Sequence, residues 1–172
     1  MRFFAIANMT NSSFAANCMD FGNPDIPFLG STLHEMEEVN GVRLSTYNEC
    51  HLLAWSKRDV CSFVLRPSWD GVLKRVQLPL QDVSPTESIT KCEWVPGIEG
   101  FACVGMKGCF RIFRLTESGP SAVLELVLTP ASSTRIKDFA IVPRFKGYTV
   151  FGWKIFFLLE QGVLHEVTFD CD

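Results

Sequence analysis

An internal repeat constrains this chain more than any other feature. One pattern of four short runs occurs three times. The clearest copy reads ITKCEWV, FACVGMK, CFRIFRL and AVLELVL, between Ile89 and Leu128. A later copy reads IKDFAIV, YTVFGWK, IFFLLE and VLHEVTF, from Ile136 to Phe169. A more worn copy reads VRLSTYN, HLLAWSK, DVCSFVL and VLKRVQL, from Val42 to Leu78. The copies begin at residues 42, 89 and 136, a constant step of 47. Each run is six or seven residues long and rich in Val, Ile, Phe and Thr, which favours strands over helices. The one stretch that resembles an amphipathic helix, Leu33–Val39, reads equally well as a polar edge strand.

Turn chemistry punctuates the runs. Arg66–Gly71, Pro96–Gly100, Thr116–Pro120, Pro143–Gly147 and Gln161–Gly162 carry the Gly and Pro that set turn geometry. Longer polar links, Pro79–Ser88 and Thr129–Arg135, join one unit to the next. Four strands every roughly 40–50 residues, with short turns inside units and longer links between them, mark propeller blades. The expected fold is all-β: three four-stranded antiparallel blades at 42–78, 89–128 and 136–170, which together make up the segment 42–172. Residues 1–41 precede them as an irregular segment or partial blade. A β-sandwich is the competing fold. Alternation in CFRIFRL puts Phe110, Ile112 and Leu115 near one face, with Arg111 and Arg114 interleaved. IFFLLE is apolar throughout and is expected to be buried on both faces.

The stretch GMKGCFRIFRL, residues 105–115, resembles a WD repeat. In that family a small-residue strand end, a Gly turn and an alternating strand closing on Trp-Asp follow one another. Phe113-Arg114 stands here in place of Trp-Asp. The Gly-His dipeptide that opens a regular WD repeat is absent from all three units, so the family's buried hydrogen-bond relay is assigned to no residue. The resemblance is WD40-like and degenerate, and covers about 130 of the 172 residues. It implies a module that holds other molecules. Three units fall short of a ring of roughly seven blades, and an open stack leaves apolar faces uncovered. Three solutions stay open: further blades in a longer polypeptide, a partner or second copy that completes the ring, or a small closed ring using residues 1–41.

Composition narrows the class. The chain is 47% hydrophobic and 20% charged, in the globular range. No apolar run approaches the ~20 residues that span a bilayer, so no membrane role is expected. The start, MRFFAIANMT, has five apolar residues before polar ones, too few for a secretory signal. The sequons at Asn8 and Asn11 therefore read as chance matches. Seven cysteines, an odd number with no CxxC pair, favour a reducing compartment, cytoplasm or nucleus. Net charge is −3, which by itself points to no nucleic acid.

Enzyme chemistry finds no constellation. His34, His51 and His165 lack metal-ligand spacing. GxSxG, GxxxxGK[ST] and GxGxxG do not occur. Cys109, beside Gly108 at a turn, reads as structural. The chain is expected to be no enzyme and to need neither cofactor nor metal. Two features suggest contacts. Lys57, Lys107 and Lys154 fall at the same place in the three units, the expected turn between second and third strands, and Arg58 adjoins the first. Arg135 and Lys137, entering the third unit, belong to the same expected rim. Solvation of lysines in exposed turns, where they also block edge pairing, is the plainer explanation. The functional reading is a basic arc for an acidic or phosphorylated protein partner. Trp69, in the turn Pro67–Gly71 on the opposite expected rim, either packs over its own blade, the plainer reading, or serves as a contact anchor, whereas Trp94 and Trp153 lie in strands and read as core. The expected function is a protein-interaction scaffold within a larger assembly. The alternative is an RNA-contacting subunit using the basic arc.

Overall fold

Alternating sequences with Gly and Pro breaks form hairpins, and hairpins joined in series form meanders. The described strands pair in this way in each sheet. The computed structural model describes residues 2–8, 13–19 and 29–35 as strands, and residues 39–48, 50–65, 72–80, 87–127 and 135–170 with their side chains. Every regular element among them is a strand. Two four-stranded and two three-stranded antiparallel sheets result. They divide into two compact units, Met1–Leu78 and Pro79–Asp172.

In the first unit, β1 (Arg2–Asn8), β2 (Ser13–Met19) and β3 (Leu29–Glu35) pair in sequence order as a meander. β4 (Gly41–Leu44), β5 (His51–Trp55), β6 (Val60–Leu65) and β7 (Val72–Gln77) follow as a second meander. Leu52, Leu53 and Ala54 of β5 are wholly buried, so this strand is covered on both faces. Its core joins Val39, Leu52, Ala54, Cys61, Phe63 and Leu65. Gly41 pairs directly with Trp55, whose ring fills the space a Cβ would need. The bare backbone is what lets the indole lie across the strand.

The second unit holds β8 (Ile89–Trp94), β9 (Phe101–Met106), β10 (Cys109–Thr116) and β11 (Gly119–Val127) in one sheet. β12 (Ile136–Lys146), β13 (Thr149–Leu159) and β14 (Leu164–Asp170) make the next. β12 runs beside β8 and β9, so the two sheets meet along their first strands. Phe110 fills the space between them. It is fully buried and meets Phe139 and Phe157 edge-on, with ring centroids 5.0 and 5.2 Å away. Gly105 makes room for this cluster: a Cβ there would sit 2.6 Å from Phe139 Cδ1. Lys91 of β8 reaches across the seam. Its Nζ donates to the Phe139 carbonyl at 2.9 Å, pairs with Asp138 at 3.1 Å and lies 5.2 Å from the Phe139 ring centroid.

The last sheet departs from the sequence expectation. YTVFGWK and IFFLLE are one continuous strand, β13, so this sheet has three strands rather than four. No Gly or Pro separates Lys154 from Ile155, and inward burial of Trp153, Ile155, Phe157 and Leu159 continues at period two across the expected turn. Phe156 and Leu158, expected to be buried, are only partly covered. Pro143, paired with Trp153, is accommodated because β12 is an edge of its sheet.

Candidate functional site

The cations singled out by the repeat fall in different settings. Lys57 and Arg58 are exposed in the β5–β6 turn of the first unit. Ser56 shapes that turn: its Oγ accepts from the Arg58 and Asp59 amides at 3.2 and 3.0 Å. Lys107 lies in the β9–β10 turn of the second unit, and its carbonyl accepts from the Ile136 amide at 2.7 Å. The Arg135 carbonyl in turn accepts from the Glu160 amide at 2.8 Å. These backbone bonds bring Lys107, Arg135 and Lys137 to one end of the second unit, with Arg135 and Lys137 exposed. That end is not purely basic. Glu87 accepts from the Gly108 amide at 2.7 Å, and Glu160 is exposed beside Arg135.

Lys154 does not join them. It sits in the middle of β13, paired in register with Val142 and Thr168, and its Nζ meets Glu166 at 2.6 Å. An arc of three equivalent turn lysines therefore does not form. Trp69 lies outside the described residues. Trp94 and Trp153 are buried, as their strand positions imply.

Cys61, Cys92, Cys103 and Cys109 are buried in the sheets. Burial pushes the Cys103 thiol far up, and the thiol donates to the Glu93 carbonyl at 3.2 Å. Burial also raises Cys61, which Arg75 only partly offsets. His51 is partly buried at the start of β5 and His165 is exposed on β14. Among the described residues no three His, Cys, Asp or Glu side chains converge as metal ligands. Nor do the described residues include a helix long and apolar enough to cross a membrane.

An apolar pocket of about 210 Å³ opens between the two sheets of the second unit, and no sequence signal announces it. Val95 and Ile98, in the loop after β8, and Phe101, opening β9, contribute to one wall. Trp153 and Phe169, which also line it, are stacked with their centroids 6.2 Å apart. The Trp153 indole N–H donates to the Pro96 carbonyl at 2.8 Å, which satisfies the one polar atom of that ring. Ile112 adds a buried contact. Val123 and Leu124 both line the pocket although they are sequence neighbours. A regular strand would send them to opposite faces. Here Ile112 pairs with Leu124 and Phe113 with Ala122, so Val123 is the extra residue of a bulge. Bulges re-aim side chains in this way. Val123 is 49% exposed, so the pocket reaches the surface beside it. Arg114 pairs in register with Phe101, is exposed, and holds its guanidinium 5.9 Å from that ring's centroid.

No protein family's sequence pattern matches the chain, and no curated protein matches it. Solved structures do. A Bacteroides uniformis protein with a provisional 6-phosphogluconolactonase assignment superimposes at TM-score 0.58 and 12% identity, over 99% of this chain and 52% of that one. A Lactobacillus plantarum protein matches at 0.57 and 10% identity, over 97% and 51%. BBS1N, solved in complex with ARL6DN, matches at 0.52 and 14% identity, over 96% and 52%. The WD40 domain of SCAP from fission yeast matches at 0.50 and 12% identity, over 98% and 41%. The chain thus spans about half the length of the structures it matches. At such identities the likeness concerns the fold, which is all-β and of propeller type.

Proposed function

We propose that the chain is a non-enzymatic interaction scaffold, a divergent WD40-like array of blades that serves as a subunit of a larger assembly. The reading is carried by its architecture: antiparallel sheets with packed cores whose polar turns are displayed at the sheet ends. Loops held by a rigid scaffold are where binding concentrates. BBS1N, of similar fold, was crystallised bound to another protein, ARL6DN. The buried, raised thiols of Cys61 and Cys103 weigh against thiolate chemistry at those positions. Partners are acidic or phosphorylated protein segments that meet Lys57 and Arg58 in the first unit, or Lys107, Arg135 and Lys137 in the second. Further blades come from more of the same polypeptide, from a partner, or from a second copy. The compartment is cytoplasm or nucleus.

Cross-linking mass spectrometry on the full polypeptide in its native extract tests this reading. A reproducible set of protein partners is expected. It should shrink when Lys57, Lys107 and Arg135 are reversed to Glu, with the melting temperature little changed. Recovery of no partner, or turnover of 6-phosphogluconolactone by the purified chain, would overturn the reading. The clustering of Lys107, Arg135 and Lys137 favours RNA as a second reading, which the neighbouring Glu87 and Glu160 weaken. RNA binding that collapses between about 50 and 200 mM salt would promote it.

A further inference from the structure

We propose that the pocket between the two sheets of the second unit receives one bulky apolar side chain of an acidic protein segment, with Arg114 engaging a carboxylate next to that side chain. The proposal rests on the scaffold reading and names the chemistry of one partner contact. Size selects the occupant. At about 210 Å³ the pocket is smaller than the roughly 300–1,000 Å³ of sites for drug-sized ligands and cofactors. It exceeds the ~150 Å³ apolar cavity that takes up benzene. One phenylalanine, leucine or tryptophan side chain fits that range.

The lining agrees. Ile98, Phe101, Ile112, Leu124, Trp153 and Phe169 present apolar surface, and the indole N–H of Trp153 is already committed to Pro96. The pocket therefore asks its guest for no hydrogen bond. Charge selects the surroundings. Arg114 stands over Phe101, whose ring lines the pocket, and makes no ion pair among the described residues. A guanidinium held against an aromatic wall attracts a carboxylate flanking the inserted side chain. The β11 bulge is the device that opens the site, because it turns the exposed Val123 toward the pocket alongside Leu124.

The test uses the 172-residue chain and four probes, with binding followed at the Trp153 indole N–H resonance. Three probes are blocked five-residue peptides: Glu-Asp-Phe-Asp-Glu, its central alanine analogue, and Gln-Asn-Phe-Asn-Gln. The fourth is 3-phenylpropionate. The phenylalanine peptide should bind at least about tenfold more tightly than its alanine analogue, the fold-change expected from burying one aromatic side chain. Val123→Trp, which plugs the mouth, should abolish that preference while the rest of the spectrum stays wild-type. Arg114→Gln should weaken the acidic peptide and leave the amide peptide unchanged. Equal binding of the phenylalanine and alanine peptides overturns the proposal. So does full affinity in Val123→Trp, or binding of 3-phenylpropionate as tight as the peptide, which would mark a small-acid site. If every cross-linked partner survives Val123→Trp, the pocket proposal fails and the scaffold reading stands. If no partner is found but the peptide binds and Val123→Trp removes it, the scaffold reading fails and the pocket chemistry remains.

Discussion

Replacing Phe110 by alanine should remove a large share of the stability of the second unit. Phe110 is fully buried and touches the rings of Phe139 and Phe157 edge-on, at 76° and 74° between planes. Truncating a buried phenylalanine costs about 3–5 kcal/mol, made up of lost burial and the cavity left behind. About 0.5–1.5 kcal/mol for each ring pair belongs to the aromatic geometry rather than to area. A domain's whole stability is only about 5–15 kcal/mol. At about 4–8 °C per kcal/mol for a unit of this size, the melting temperature should fall by roughly 12–40 °C. Urea unfolding followed by tryptophan fluorescence reads this, because Trp94 and Trp153 are buried in the same unit. Val127→Ala is the control: Val127 is 69% exposed and should change stability by under about 0.5 kcal/mol. A double-mutant cycle with Phe110→Leu and Phe139→Leu isolates the ring–ring share. If Phe110→Ala costs no more than Val127→Ala, the two sheets are not held together at this cluster and the packing argument is wrong. Strict additivity of the leucine pair would instead remove only the aromatic contribution.

Gly105→Ala should destabilise by about 1–3 kcal/mol, since its Cβ would press on the Phe139 ring; unchanged urea midpoints would refute it. Lys154→Ala, which breaks an exposed pair with Glu166, should shift stability by less than about 1 kcal/mol in the same assay. For Cys103 burial raises the folded-state pKa above the ordinary thiol value of 9.0. Its contribution is therefore fully present below about pH 9 and is lost as pH rises above that value. Cys103→Ala should flatten the alkaline loss of stability, and an unchanged pH profile would argue against burial as the cause. In the folded chain Cys103 should also resist a thiol reagent at about pH 8 that labels the partly buried Cys50, whereas labelling of both at equal rates would contradict the burial.

Much of the fold was legible in the order of residues. β8, β9, β10 and β11 follow their sequence runs closely, because Gly or Pro stands at or beside every break among them. The candidate site was less legible. Lys154 matches Lys107 by alignment, yet one lies within a strand and the other in a turn. The 47-residue step suggests equivalence, but local chemistry decides where a chain reverses, and Trp153-Lys154-Ile155 has none of the residues that make a turn.

Short-range pattern was enough to settle the all-β class, the repeated meanders and the core placement of Trp94 and Trp153, since each depends on residues close together in the chain. Which side chains became a site depended on long-range packing. Arg111 and Arg114 sit three residues apart in one strand and look alike in sequence. Arg111 is buried against Glu125 at 2.8 Å, while Arg114 is exposed beside Phe101 and the pocket. The difference comes from the facing partners. Glu125 of β11 meets Arg111, and the Phe101 ring on β9 lies under Arg114, each brought to β10 by strand pairing rather than by nearness along the chain.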